Sequence, residues 1–252
     1  MPTISHARIT APCCPQGDGL ELSDGQDWTI EDCIIDLSEW PLDDIDECCG
    51  VTLGSSATFK RCVIRGAGKL VLCGCGDKDK IPLETGKHVA FYDCILENGG
   101  RRFPEVQDGM KVMLHNCLIR NWGAPDRFTV RNFGSWTHSG GRIDAVGCVY
   151  WQDTFWRPLG QFLTDLVNHI GQAWNDEGLR GLLRLSTWIP GVCKGLLATA
   201  GGEAYAWHCW RNHWWIAMPF RHTTAMMDKA EALSMVADLE EMAEALERDL
   251  PT

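Results

Sequence analysis

Carboxylates are concentrated near the start of this chain, where they could hold a metal ion. Residues 9–59 contain no Lys or Arg, and the whole chain of 252 residues has a net charge of −11. Carboxylate oxygens without competing cations are the ligands that Ca²⁺ prefers. The alternative is that most of these acids are solvated side chains that face outward. The acids of the stretch are Asp18, Glu21, Asp24, Asp27, Glu31, Asp32, Asp36, Glu39, Asp43, Asp44, Asp46 and Glu47.

Cysteine is the second residue type whose chemistry has to be decided, because the chain has 13 of them. The cysteines that lie closest to one another in sequence lack a C-x-x-C partner set at zinc-site spacing, so we do not predict a zinc site. Many cysteines without an export signal favour a reducing compartment and free thiols. The closely spaced cysteines are Cys13–Cys14, Cys48–Cys49, and Cys73 with Cys75.

Five other cysteines each precede two apolar residues and close a run of alternating hydrophobicity. The segments are EDCIID (31–36), KRCVIR (60–65), YDCILE (92–97), HNCLIR (115–120) and VGCVYW (146–151). A strand that recurs at this kind of interval is typical of a solenoid, in which each coil pairs with its neighbours. We therefore predict an all-β, right-handed parallel β-helix over residues 1–150, with the five cysteines stacked inside. The alternation before them is carried by Ile30, Lys60, Tyr92, Leu114 and Ala145.

Residues 151–252 are predicted to form a second, Trp-rich helical region, because the pattern changes after Tyr150. Segments such as LGQFLTDLVNHIGQAW repeat their apolar residues at helical spacing. The run WHCWRNHWW (207–215) is either core under helices or an exposed stacking surface. A final helix is predicted near the C-terminus, where a narrow apolar stripe would dock on the chain itself or form a short coiled coil. The stripe is Met235, Leu239, Met242, Leu246 and Leu250.

The order of landmarks in residues 18–122 resembles the pectate lyase family, the calcium-dependent β-helical polysaccharide lyases. DECCGVTLGSSATFKRC (46–62) resembles the family's D-G-x-x-D-I-x-x-G-S-x-x-V-T-I-S-x-C, and GKLVLCGCGD (68–77) resembles D-K-x-x-L-I-G-x-S-D. HVAFYDCILENGGRRFPEVQDG (88–109) resembles the family segment that contains R-x-P-x-x-R, and KVMLHNCLIRNW (111–122) resembles the strand after it. DGLEL (18–22) and WTIEDC (28–33) match two earlier strands.

This resemblance implies a β-elimination on an acidic polysaccharide. The family removes the C5 proton of a uronate and expels the 4-O-linked sugar, with an arginine as the base. The arginine of R-x-P corresponds to Arg102, and the family's lysine corresponds to Lys69. The calcium ligands would be Asp18 and Asp46. An arginine base is unusual because its pKa lies above 12, so it needs strongly cationic surroundings.

The chain departs from the family pattern at several of these positions. The second calcium aspartate is Gly50, and Glu47 could replace it as a ligand. The second arginine of R-x-P-x-x-R is Gln107. With Arg101 and Glu105, Gln107 is expected to contact substrate. Any Ca²⁺ is therefore expected to bind weakly, because fewer ligand charges lower the affinity.

Two functions follow as expectations: a pectate-lyase-like enzyme, or a non-catalytic β-helix that is structural or binds carbohydrate, for example as a component of a viral particle or a larger assembly. The partner would be an acidic polysaccharide and, in some arrangements, a second copy of the chain. The acidic balance argues against nucleic acid, and no segment has the length and hydropathy of a membrane span. The first residues lack an apolar h-region, so we expect a cytoplasmic protein or one assembled into a particle.

Overall fold

The computed structural model describes residues 1–41, 44–52, 54–75, 88–122, 135–137, 142–151, 205–209 and 229–250. Its strands are β1 (Thr3–Ser5), β2 (Arg8–Ile9), β3 (Leu20–Leu22), β4 (Asp27–Glu31), β5 (Ile34–Asp36), β6 (Cys49–Thr52), β7 (Ser56–Lys60), β8 (Val63–Arg65), β9 (Val71–Cys75), β10 (His88–Tyr92), β11 (Ile95–Gly99), β12 (Glu105–Val106), β13 (Lys111–His115), β14 (Leu118–Trp122), β15 (Trp136–Thr137), β16 (Arg142–Trp151) and β17 (Tyr205–Cys209). One helix, α1 (Lys229–Asp249), follows them among the described residues.

The chain winds as a right-handed parallel β-helix, which confirms the predicted fold. Each coil contributes one strand to each of three faces. The first face stacks β1-β4-β7-β10-β13-β16, the second stacks β2-β5-β8-β11-β14, and the third stacks β3-β6-β9-β12-β15. All these pairings are parallel, and the long strand β16 pairs with β13 through its first half and with β14 through its second half. Successive coils therefore place equivalent sequence positions directly above one another.

The repeated cysteines mark the corner between the first and second faces. Cys33, Cys62, Cys94, Cys117 and Cys148 are all 0% exposed and free, as predicted. The residue before each cysteine has a left-handed backbone (φ 49° to 62° at positions 32, 61, 93, 116 and 147), which turns the chain sharply within two residues. The thiol points inward, and in Cys62 and Cys94 it donates to the carbonyl two residues earlier at 3.2 Å. A small side chain with a weak donor suits this corner.

The alternation predicted before two of the cysteines was wrong by one residue. Phe59 and Phe91 point into the core and are 0% exposed, whereas Lys60 and Tyr92 are only half-buried. The two phenylalanine rings stack with centroids 4.6 Å apart. The residue three before each cysteine is the inward one in every coil. Strict alternation would place it on the face opposite the cysteine, but the left-handed residue before the cysteine turns the chain, so that both side chains point inward.

Helix α1 docks across the outer surface of the second face, which confirms intramolecular docking for the predicted stripe. The strands present an outward apolar column of Ile34, Val63, Ile95, Leu118 and Val149, and all five side chains are buried. The helix covers them with Ala232, Val236, Leu239 and Leu246, and Leu250 adds to this cover directly after the helix ends; Met235 and Met242 flank them. The amphipathic helix and the apolar column therefore remove each other's surfaces from water.

Charged residues border this helix interface. Arg120 pairs with Glu97 (2.7 Å) and with Glu240 of α1 (2.5 Å). Arg65 pairs with Asp36 (2.7 Å) and with Glu247 of α1 (2.5 Å). Seven helical residues span about 10.5 Å, and two strand spacings span about 9.6 Å. The distance from Glu240 to Glu247 therefore matches the distance between the two arginines.

Most of the predicted Trp-rich helical region, including LGQFLTDLVNHIGQAW, lies outside the described residues. Within it, residues 205–209 form strand β17, which pairs antiparallel with β16. The first three residues of WHCWRNHWW, 207–209, therefore lie in a strand. Among the described residues, no helix has the length and apolar character needed to cross a membrane.

Candidate functional site

Six of the eight predicted site residues lie in the segments that lead into the third face: Asp18, Asp46, Glu47, Lys69, Arg101 and Arg102. Leu20, Cys49 and Val71 are in register on β3, β6 and β9, so the residues two positions before each of them also stack. Those residues are Asp18, Glu47 and Lys69. The next coil continues the column, because Arg101 forms a parallel bridge with Lys69. Backbone bonds tie the segments together, with Gly19 N–H donating to Glu47 C=O at 3.0 Å and Cys48 N–H to Lys69 C=O at 3.1 Å.

Three carboxylates meet at the lower end of this column. One oxygen from each of Asp18, Asp46 and Glu47 lies within 4.8 Å of the others. The Glu47 backbone N–H donates to Asp18 Oδ1 at 3.1 Å, which fixes Asp18 against the next coil. Glu47 is only 3% exposed, whereas the Asp46 side chain is 49% exposed. The triad is therefore open to solvent through Asp46.

Two cations face these carboxylates. Lys69 Nζ forms an ion pair with Asp46 and lies 3.8 Å from Glu47 Oε1. Arg102 Nη1 bonds Glu47 Oε1, and Arg102 Nε lies 2.9 Å from Glu105 Oε2. The side chains of Lys69 and Arg102 are 29% and 15% exposed. Along the column, Asp18 and Glu47 are acidic on the first two coils and Lys69 and Arg101 are basic on the next two. The ion pairs therefore join an acidic half of the cluster to a basic half.

An irregularity in the fourth coil places Arg102. Between the pairs Lys69–Arg101 and Leu72–Glu105, the fourth coil contains one residue more than the third. Arg102 has a left-handed backbone with φ 68°, which is uncommon for a residue other than glycine. Unusual backbone of this kind often lies at functional sites and is held by the surrounding structure. Here Glu47 and Glu105 hold the Arg102 side chain.

Burial and neighbouring charges alter the acidity of the site. Burial, with repulsion from Glu21, raises the pKa of Asp18 to about 6, although Lys69 and Arg102 oppose the shift. Burial, with repulsion from Arg101, lowers the pKa of Lys69. Burial also lowers the pKa of Arg102, while Glu105 and Asp18 act in the opposite direction. A carboxyl that titrates near pH 6 in a charged cluster is typical of functional sites.

The ligand type of the triad suits a hard cation such as Ca²⁺, since every donor is a carboxylate oxygen. The number of ligands is small for Ca²⁺, which takes six to eight oxygens. Gly50, in register between Glu21 and Leu72, adds no carboxylate to the third face. In addition, Asp46 and Glu47 already bind Lys69 and Arg102. The residues would hold the ion in competition with these two cations.

The remaining predicted residues fall in different environments. Glu105 is buried and pairs with Arg102, so it belongs to the cluster as a partner of the arginine. Gln107 directly follows β12, at the end of the strand away from Arg102, and its Nε2 donates to Gly74 C=O at 3.4 Å. The predicted substrate contact at Gln107 is therefore displaced from Arg102 along the strand. Cys48, Cys49 and Cys73, weighed above for zinc, are buried in the apolar core.

The sequence interpretation missed the charged column that anchors α1. It consists of Asp36, Arg65, Glu97 and Arg120, which follow the C-apolar-apolar segments and alternate in sign. The signal was visible in CIID, CVIR, CILE and CLIR. Opposite charges at one position of successive repeats indicate a ladder of ion pairs once the repeat is assigned to stacked coils.

No protein-family model matches the chain, and no curated protein matches it. The resemblance to pectate lyases therefore remains a prediction from the order of sequence landmarks.

Proposed function

We propose that this protein is a pectate-lyase-like β-eliminase that acts on a uronate-containing polysaccharide. The observation that supports the proposal is that residues from four successive coils converge, as a lyase site would require. Asp18, Asp46, Glu47, Lys69 and Arg102 are separated by up to 84 positions in sequence, from 18 to 102, yet form one connected charged cluster.

In the proposed reaction, Arg102 removes the C5 proton of a uronate. A double bond forms between C4 and C5, the bond from C4 to the glycosidic oxygen breaks, and the leaving sugar takes a proton. Lys69, whose side chain is 29% exposed, binds the uronate carboxylate and neutralises the charge that develops on it. Ca²⁺ held by Asp18, Asp46 and Glu47 would supply further positive charge for the same carboxylate.

Arg102 acts as a base only in its neutral form, and its surroundings affect that form in opposite directions. Burial disfavours the guanidinium charge, whereas the carboxylates of Glu47 and Glu105 favour it. For Arg102 to become neutral, its contact with Glu47 must weaken. Binding of the substrate and a reorientation of Lys69 would have to bring this about. The proposed enzyme is therefore expected to be slow on plain polygalacturonate.

The test is the absorbance of the 4,5-unsaturated product on a panel of uronate polymers, with and without Ca²⁺. Arg102→Lys should lose about 10²–10⁴-fold in rate, because lysine keeps the charge but loses the fork geometry. Arg61→Lys is the matched control, since Arg61 forms exposed ion pairs with Glu31 and Asp32 at another corner of the coil. Equal rates for the two variants would contradict the role of Arg102.

The second candidate is a non-catalytic β-helix that binds acidic carbohydrate or serves as a structural component. The observation that favours it is the ion pairing of both cations, since Lys69 binds Asp46 and Arg102 binds two carboxylates. Such a network can be purely structural. Calorimetric binding of a uronate oligomer without any unsaturated product would support this candidate over the lyase.

A further inference from the structure

Cys13 and Cys14 differ from the other cysteines whose side chains the structure describes. Both are exposed, whereas Cys33, Cys48, Cys49, Cys62, Cys73, Cys94, Cys117 and Cys148 are buried. The pair lies in the segment that connects β2 to β3, on the N-terminal coil. Neither cysteine takes part in the site proposed above or in the apolar core. Because they are exposed, they can react with reagents that do not reach the buried thiols.

The local geometry brings the two sulfur atoms together. The Cys13 Sγ and Cys14 Sγ atoms are 3.8 Å apart. Cys13 N–H donates to Asp18 C=O at 2.8 Å, and Gly17 N–H donates to Cys14 C=O at 2.9 Å, so the loop closes on itself. A Cβ atom at Gly17 would lie 2.5 Å from Cys14 Sγ and 3.0 Å from Cys13 Sγ. Both sulfurs therefore lean over Gly17, and the lack of a side chain there provides the space.

We propose that Cys13 and Cys14 form a redox site, a vicinal dithiol that a low-molecular-weight disulfide oxidises reversibly. One thiolate attacks the disulfide, so that its sulfur–sulfur bond breaks, one small thiol leaves and a mixed disulfide forms. The second cysteine then attacks the protein sulfur of the mixed disulfide. The Cys13–Cys14 bond forms and the second small thiol leaves. Overall, the protein loses two protons and two electrons, and the small disulfide takes them up as two thiols.

The product would be easy to reduce again. Neighbouring Cα atoms lie about 3.8 Å apart, which is below the usual span of about 4.4–6.8 Å for a disulfide. A disulfide between adjacent residues is therefore strained, and strained, exposed disulfides are the labile and regulatory ones. A reducing compartment would return the pair to the dithiol, so the site reports oxidising conditions instead of adding permanent stability.

The surroundings of Cys13 favour its thiol over its thiolate. Burial, together with Cys14, Asp18 and Glu21, raises the pKa of Cys13. The redox proposal itself does not depend on the proposed lyase function.

The experiment treats the native full chain with glutathione disulfide, then alkylates free thiols and analyses proteolytic peptides by mass spectrometry. The peptide with both cysteines should lose two hydrogens and regain them after dithiothreitol. The peptides with Cys62 and Cys94 should stay reduced, which provides an internal control. Cys14→Ser should stop at one glutathione adduct on Cys13, because the second thiol is missing.

Other products would overturn the proposal. Two stable glutathione adducts on the wild-type peptide would mean that the sulfurs cannot join. A disulfide to a third cysteine would assign the partner differently. A peptide that stays as reduced as those of Cys62 and Cys94 would mean that the pair is not a redox site. Because Cys14 is exposed, the serine variant is expected to fold as the wild type does.

Discussion

Arg102 donates through Nη1 to Oε1 of Glu47, a carboxylate that is 3% exposed and 55 positions earlier in sequence. Glu105 holds the same guanidinium from the other side, with 2.9 Å between Nε and Oε2. The residue proposed as the base is thus also the centre of a buried ion-pair network. A change at Glu47 should therefore affect the stability of the fold as well as any chemistry at the site.

Glu47→Gln should destabilise the protein by about 3 kcal/mol, near the lower end of the cost of breaking a buried pair. The substitution keeps the size of the side chain but leaves the buried charge of Arg102 with less compensation. The measurement is the free energy of unfolding in urea. Glu31→Gln is the control, because Glu31 pairs with the exposed Arg61 and should contribute only about 0–1 kcal/mol. Similar losses for both variants would argue against a tightly coupled network at Arg102.

Asp18 should make stability depend on pH in the range from about 4 to about 6. Its pKa is raised from 3.8 to about 6 in the folded protein, mainly by burial. The folded state then binds the proton more tightly than the unfolded state, so the contribution of this group to stability increases as pH falls through 6. Above pH 6 the charged, partly buried form is a penalty.

The check compares melting temperatures of the wild type and Asp18→Asn from pH 4 to pH 8, in a chelator. Asparagine cannot titrate but can still accept the Glu47 N–H. The variant should be more stable than the wild type at pH 7–8, and the difference should vanish near pH 4. Titrating groups elsewhere cancel in the difference between the two proteins. A difference that is the same at every pH would mean that Asp18 has no raised pKa.

The coil repeat was predictable because each coil repeats the same corner. A left-handed residue followed by an inward cysteine recurs at Asp32–Cys33, Arg61–Cys62 and Asp93–Cys94, and the sequence shows that cysteine directly. The one-residue error at Lys60 and Tyr92 arises because each directly follows a phenylalanine, Phe59 or Phe91, that fits a period-2 run equally well. Periodicity alone does not choose between adjacent positions, whereas the register with Ile30 and Leu114 does.

The candidate site was predictable in its members but not in its contacts. The order of landmarks selected Asp18, Asp46, Lys69 and Arg102, and stacking of the coils brings them together. Which acid pairs with which cation depends on the register of the third face and on the extra residue before Glu105. These are properties of packing between coils, which a linear pattern does not contain. Only the folded structure shows that Glu47 lies next to both Lys69 and Arg102.

Calcium binding should be weak and should depend on Asp46. Ca²⁺ must displace Lys69 from Asp46 and Arg102 from Glu47, and Gly50 leaves the site without a further carboxylate. We expect a dissociation constant on the order of 10⁻⁴–10⁻³ M, as in sites with few ligand charges. Calorimetric titration should show loss of binding in Asp46→Ala and unchanged binding in Asp24→Ala, an exposed acid of the same stretch. Sub-micromolar affinity would mean that the site offers ligands beyond the triad.

Leu239→Ala should release helix α1 from the solenoid while leaving the coils folded. Leu239 is 5% exposed and packs against the apolar column of the second face, and truncating such a leucine costs about 2–5 kcal/mol. In proteins most of the stability of a helix comes from packing of its amphipathic face, so docking and helix formation should be lost together. The loss should appear as local opening, because the strands are paired with one another independently of the helix.

Amide hydrogen exchange is the measurement for this prediction. Exchange in residues 229–250 should accelerate by about thirtyfold or more, the equivalent of 2 kcal/mol, while exchange in β7 and β10 stays slow. Leu233→Ala is the matched control: the same substitution on the same helix, at a side chain that is 42% exposed, should change exchange little. If both variants behaved alike, the burial of Leu239 would not be what holds the helix. If β7 and β10 also opened in Leu239→Ala, the helix and the solenoid would unfold as one unit, and α1 would be part of the cooperative core.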